Sequence, residues 1–397
     1  MTVFVFDWLN LLVRWAHLVA GIAWIGTSFY FIALDLSLRR RDGAPAGISG
    51  EAWEVHGGGF YRVEKYTVAP PSLPEHLIWF KWEAYLTWMT GFALLVVQFY
   101  VDAEAWLIDP GVMALEPWQA IGISFASLAA GWFVYDGLCR SPLGRNAPAL
   151  AATVYVLVVA AAWGYTEVFS GRSALVHAGA LIGTLMAFNV FAVIIPNQKK
   201  VTAALLAGET PDLRYGEVGK QRSVHNTYLT LPVLVLMVSG HYPMLTGHPH
   251  AWLLVALIIA GGGCARHFLV HHEVGTAFRS IAWTVPVVAV ALAAAVWLTF
   301  PAERDPGSAG AGGVSDTEVL EITRTHCASC HSQRPTNPAF PVAPKNMVLA
   351  TTDDLRRYAS LIELQTVQNR IMPLGNLTGM TDSERTRLGA WIAAQFK

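Results

Sequence analysis

Two cysteines three positions apart and followed at once by a histidine, Cys327-Ala328-Ser329-Cys330-His331, carry the most specific chemistry in the sequence. At that spacing each thiol can form a thioether with a vinyl group of a porphyrin while the imidazole ligates the iron. The motif therefore reads as the attachment site of one covalent haem c. Half of a zinc site is the competing reading, but it needs a second ligand pair, and no Cys or His follows His331. A sixth iron ligand must come from farther along, where Met347, Met372 and Met380 are the candidates. Met372 opens Met372-Pro373-Leu374-Gly375, a stiff loop ahead of a helix announced by the capping box Thr381-Asp382-Ser383-Glu384, and all three methionines remain open at this point. An axial His331 and Met372 pair gives a fairly high potential, which suits an electron acceptor.

A second group of reactive side chains lies in apolar surroundings, where ionisable residues are costly and default to functional candidates. Arg14 and His17 sit in Arg14-Trp15-Ala16-His17, and His17, Gly21 and Trp24 share one helix face, with Gly21 leaving room for a flat ring or a close helix. Arg266-His267 with His271, and Arg222 with His225-Asn226, lie near the ends of two further apolar runs, and His267 and His271 are one turn apart. His76, His225, His267 and His271 fall on one side of the bilayer and could bind b-type haem or copper, or steady an anion with Arg266 and Arg222. His177, His241, His248 and His250 belong to the other side, and Asn189 and Gln98 lie deep enough to need hydrogen-bond partners.

These residues require a membrane scaffold. Hydrophobic residues make up 54% of the chain and charged ones 14%, the balance of a membrane protein with a soluble appendage. A net charge of -1 excludes nucleic acid as a partner. Spanning helices need about 20 mostly apolar residues. They are expected at Trp8 to Leu36, His76 to Tyr100, Trp118 to Leu138, Pro148 to Val168, Ala174 to Ile195, Val224 to Tyr242, Ala251 to His271 and Phe278 to Phe300. The fold class expected is all-α: a polytopic bundle of about eight spans, then a small soluble cytochrome c domain. Its boundaries are 1–301 for the membrane domain, 302–315 for a Gly, Ala and Ser-rich flexible linker, and 316–397 for the haem domain.

Basic residues alternate between loops. Arg39, Arg40, Arg41, Arg62 and Lys65, then Arg140 and Arg145, then Lys199, Lys200, Arg214, Lys220 and Arg222, then Arg279 fall on one side, and Asp102, Glu104, Asp109 and Glu116, then Glu167 and Arg172, on the other. Haem is attached to such motifs outside the bacterial inner membrane. The expectation is thus a multi-pass protein of that bilayer with its N-terminus and haem domain periplasmic. Met1 to Asn10 lacks a basic leader, so no cleaved signal is expected.

Several stretches carry a resemblance. Arg14-Trp15-Ala16-His17 with Gly21 to Gly26, Lys81-Trp82-Glu83-Ala84-Tyr85 with Thr90-Gly91, Asn189 with Ile194-Ile195-Pro196-Asn197-Gln198, His225-Asn226-Thr227-Tyr228 and the Cys327 to His331 motif together resemble the membrane-bound urate hydroxylase family. The order of the C-terminal elements is similar to the small single-haem cytochromes c, in which the Met of Met-Pro is axial. The resemblance implies oxidation of urate to 5-hydroxyisourate by water, with electrons leaving through haem c to the respiratory chain by way of a terminal cytochrome c oxidase or a soluble cytochrome c.

Urate is a planar anion rimmed by carbonyl and N–H groups, so its site wants an Arg fork, amides and an aromatic face. Arg14 with His17, or Arg266 with His267 and Asn226, could supply the catalytic set. A site on the far side would lie roughly 30 Å of hydrocarbon from the haem. This predicts either a pocket near the outer face or an intramembrane haem b relay, with His17 as leading ligand. The alternative function is a quinol- or copper-linked electron-transfer subunit that relays electrons through such a haem b to the c-type domain.

Overall fold

The computed structural model describes residues 2–41, 43, 45, 47–66, 70, 72–273, 275–300 and 313–395. The expected linker at 302–315 falls mostly outside them. The chain opens with α1 (Thr2–Ser37), followed by a hairpin of β1 (Ile48–His56) and β2 (Gly59–Tyr66). Next come α2 (Trp82–Leu95), which continues through a wide π-helical turn Val96–Tyr100, α3 (Ala103–Trp106), α4 (Pro117–Arg140), α5 (Ala147–Thr166) and α6 (Gly171–Phe188). A second π segment, Asn189–Ile194, joins α6 to α7 (Ile195–Leu206), and α8 (Leu213–Val238), α9 (Pro243–Thr246), α10 (Ala251–Glu273), α11 (Phe278–Ile281) and α12 (Thr284–Thr299) complete the bundle. The C-terminal unit holds α13 (Asp316–His326), α14 (Thr352–Arg357), α15 (Ala359–Ile362) and α16 (Asp382–Gln395).

Six helices among the described residues are long and apolar enough to cross a bilayer: Phe4–Ser37, Pro117–Arg140, Ala147–Thr166, Gly171–Leu206, Ala251–Glu273 and Phe278–Thr299. This departs from about eight, for a chemical reason. The other two segments are helical, but α2 begins only at Trp82 and carries Glu83, while α8 opens with Arg214, Glu217, Lys220 and Arg222. Both still pack within the bundle, α2 against α1 and α6, and α8 against α6 and α10. The all-helical expectation meets a second exception in the hairpin. Its strands alternate around Gly57-Gly58, both at positive φ, the geometry a two-residue hairpin turn demands.

α6 is the central post. Nearly every residue from Ser173 to Ala187 is buried, and α4, α5 and α8 pack around it to form the main core with Leu128, Trp132, Leu181, Leu185 and Leu236. On α1, Trp8, Leu11, Trp15, Leu18 and Ile22 face outward, an apolar surface that lipid would cover. A separate small core, Val319, Ile322, Leu355, Ile362, Leu388, Trp391 and Ile392, holds the C-terminal unit together. Each such side chain contributes about 1.5–3 kcal/mol on burial. Because successive helices reverse direction, α3, α9 and the start of α6 lie at the bundle end facing the C-terminal unit, here the proximal end. The starts of α2 and α8 and the hairpin lie at the distal end.

Candidate functional site

The C-terminal site begins with the cap of α13. Ser315 Oγ accepts from the Glu318 N–H at 3.2 Å, and the helix ends where the Cys327 N–H donates to the Thr323 carbonyl. One further turn, closed by the His331 N–H donating to the Cys327 carbonyl at 2.8 Å, carries Cys327, Cys330 and His331. His331 Nδ1 lies 2.9 Å from the Met347 carbonyl, so Nδ1–H donates there and Nε2 keeps its lone pair for a metal. Neither cysteine is joined in a disulfide, so both sulfurs are available for thioether bonds.

The three methionines separate by environment. Met380 is buried in the small core and Met347 packs against it, whereas Met372 is absent from that cluster. The Met372 N–H donates to the Gln365 carbonyl at 3.0 Å, and its own carbonyl accepts from Arg385 Nη1 at 2.6 Å. Arg385 also reaches the Thr366 carbonyl and Asn376 Oδ1, fastening the loop at three points. Two free thiols, an imidazole with one nitrogen uncommitted and a thioether left out of the core form a donor set able to hold a covalently attached haem.

The last helix adds an acid-sensitive tie. Glu384 Oε2 accepts from the backbone N–H and the hydroxyl of Thr381, at 2.8 and 2.7 Å, and Oε1 lies 3.2 Å from His326 Nε2. The Thr381 N–H, then its hydroxyl, and the His326 contact hold the Glu384 carboxyl down at about 2, against an ordinary 4.5. A depressed folded-state value means the contribution is complete above pH 4.5 and disappears as pH falls toward 2. In a titration followed by circular dichroism, the C-terminal unit should lose stability across that window, and Glu384→Gln should flatten the slope there.

The C-terminal unit meets the bundle through this same loop. An added Cβ at Gly247 would run into the Asn369 carbonyl oxygen. Gly375, at φ +58°, turns so closely that a Cβ there would lie 2.9 Å from the carbonyl oxygens of Glu104 and Ala105. A cavity of about 440 Å³ remains between loop 369–376 and the proximal loops of the bundle.

Just beneath it, within the bundle, His177 is fully buried. Its Nε2 lies 2.6 Å from Ser124 Oγ, which in turn lies 2.7 Å from the Tyr100 hydroxyl, and Phe169 packs on the imidazole at 4.7 Å. Sequence reading placed His177 at this end but did not find Ser124 or Tyr100, since no local pattern marks them.

The remaining sequence candidates are not gathered into one place. Arg14 donates to Asn10 Oδ1, and His17 is held by the Thr87 carbonyl at 3.0 Å with its ring against Gly91. Gly21 faces Thr87, so it serves close packing of α1 on α2. Asn226 joins a distal network of its own. Asn189 Nδ2 donates to Asn226 Oδ1 and to the Tyr135 hydroxyl, both at 2.9 Å, and His225 Nδ1 lies 2.7 Å from that hydroxyl. Arg222 donates to Asp136 at 2.6 Å and lies over the Tyr135 ring. Arg266 stacks on Phe29, leaving its Nε buried without a partner.

His267 lies 2.9 Å from the Tyr228 hydroxyl and stacks on His271 at 4.2 Å. Adjacent turns of one helix put both of these imidazoles on the same side, which does not suit a porphyrin held between two ligands. His76 precedes α2 in irregular chain. Among the described residues no three His, Cys, Asp or Glu side chains converge on a metal position, so the grouping of His76, His225, His267 and His271 is not assembled.

No curated protein and no solved structure matches the chain. Residues 3–299 match the family described as Urate oxidase N-terminal, which takes in the whole bundle. This protein belongs to that family, and with it to the oxidoreductases that act on urate.

Proposed function

We propose that the protein is a membrane-bound urate hydroxylase of the bacterial inner membrane, and that its electrons leave through a covalent haem c in the C-terminal unit. The reaction balances as urate plus water giving 5-hydroxyisourate, two protons and two electrons. When bound, haem c supplies a one-electron acceptor that turns over twice per urate. Cys327 and Cys330 would hold it covalently, and His331 and Met372 would ligate its iron. His331 is oriented by the Met347 carbonyl, and Met372 is fixed through its own backbone by Gln365 and Arg385.

One observation carries this reading: the loop that bears Met372 is the part of the C-terminal unit that touches the bundle, at Gly247 and at Glu104-Ala105. An acceptor bound there would be held against the urate oxidase-type domain. With α2 and α8 packed among the six apolar helices the chain would make eight passes, and the positive residues gathered at the distal end support that end as cytoplasmic, with both α1's start and the C-terminal unit periplasmic. A soluble cytochrome c or a terminal oxidase would then collect the electrons.

The test adds urate to oxidised membranes and follows the haem c absorbance. Urate should reduce it; a haem that stays oxidised with urate yet is reduced by a quinol would establish the electron-relay alternative. Met372→Leu should keep the haem attached while lowering its midpoint potential, read by redox titration, because a His/Met ligand pair raises it.

A further inference from the structure

We infer that urate binds in the cavity between the bundle and the C-terminal unit, an inference that rests on the function proposed above and locates its substrate. The cavity's volume, about 440 Å³, falls within the range of small-molecule sites. Its lining includes Trp106, Phe169, Arg172, Asn369, Arg370 and Arg385. Arg172 rises from the first turn of α6 and lies over the Trp106 ring at 5.2 Å, which holds its planar fork in a fixed orientation.

Asn369 supplies the second observation. It is only 9% exposed, yet its Nδ2 is buried with no hydrogen-bond partner. An amide donor left unpaired costs about 1–3 kcal/mol; the Nδ2 is enclosed behind the cavity wall, and a turn of the amide toward the cavity would let the carbonyl rim of urate satisfy it. Charge points the same way. Three arginines line the cavity against two carboxylates, and of those Asp382 pairs with Arg370 while Asp109 accepts from the Gly111 N–H. The surplus is positive, as a purine anion needs. Fork and amide are two of the features its recognition calls for, and the Trp106 ring backs the fork.

Location separates this cavity from the distal candidates. Arg222 is paired with Asp136 and Asn189, and Arg266 lies on Phe29; each keeps an unpaired Nε, but both sit at the bundle end away from the haem. Electrons released there would have to cross the bilayer. In the interface cavity they start beside Arg385, whose guanidinium is bonded to the Met372 carbonyl.

The experiment compares the full-length haem protein with Asn369→Leu, Arg172→Met and the distal variant Arg266→Met. The readouts are the KM for urate and the equilibrium binding of radiolabelled urate to dithionite-reduced protein, which cannot turn over. Asn369→Leu and Arg172→Met should each weaken binding about tenfold or more, with haem content and midpoint potential unchanged. Arg266→Met should leave binding near the wild-type value. An arginine-selective dicarbonyl applied to the wild type, with peptides read by mass spectrometry, needs no variant, and urate should shield Arg172.

Binding undiminished in both interface variants, an unshielded Arg172, or a loss confined to Arg266→Met overturns the location alone. A wild-type haem that urate never reduces overturns the proposed function itself.

Discussion

Gly247→Val should leave the haem attached and reducible by dithionite, yet slow its reduction by urate on the order of 10²-fold, as misplacement by about an ångström does elsewhere. The cause is steric and local. Position 247 closes the short helix α9, and any Cβ there meets the backbone carbonyl of Asn369, not a side chain that could swing away. The whole loop 369–376 must retreat, taking Met372 and one wall of the cavity with it. Gly122→Ala is the matched control, since nothing lies within 4 Å of an added Cβ on that part of α4. Stopped-flow absorbance of the two variants, with urate and then dithionite as reductant, separates docking from haem assembly. Equal urate rates in the two would show that this contact does not govern electron delivery.

The largest effect on stability is expected from Arg222→Met. Arg222 is 1% exposed, and its guanidinium holds Asp136, touches Asn189 and covers Tyr135. Removing one partner of a buried ion pair costs about 3–5 kcal/mol, because the carboxylate left behind has lost its compensation. Arg140 also reaches Asp136, at 2.6 Å from the exposed side, and should soften the loss toward the lower figure. The double variant Arg222→Met with Asp136→Leu should recover much of it, since no buried charge then remains unpaired. Thermal unfolding in detergent measures both, and a double variant no more stable than the single one would mean the pair matters through the Asn189 and Tyr135 network instead.

The capping box at Thr381 and the long apolar helices were legible because each rests on local spacing. The count of spans was less so. Hydropathy windows counted α2 and α8 as apolar spans, though their first turns carry the charges that set them apart. The hairpin was missed although Gly57-Gly58 between alternating strands announces it, because the basic residues around it read as a loop.

Three wide π-helical turns, Val96–Tyr100, Asn189–Ile194 and, in the C-terminal unit, Glu363–Gln368, could not be read at all. They deliver Tyr100 to Ser124, Asn189 to Asn226 and Asn369 to the interface, and the extra residue in each changes the helix face without leaving a mark in composition. The cavity escaped for a related reason. Trp106, Arg172 and Asn369 are remote in sequence and meet only when two separately cored parts dock.

The Arg385 clamp has a consequence for electron exchange. A guanidinium bonded to Thr366, Met372 and Asn376 makes this stretch of chain move as one piece. On the function proposed above, a thioether so fixed would keep its place in either oxidation state of a bound iron, and a centre whose surroundings need not rearrange would gain and lose charge quickly at little driving force.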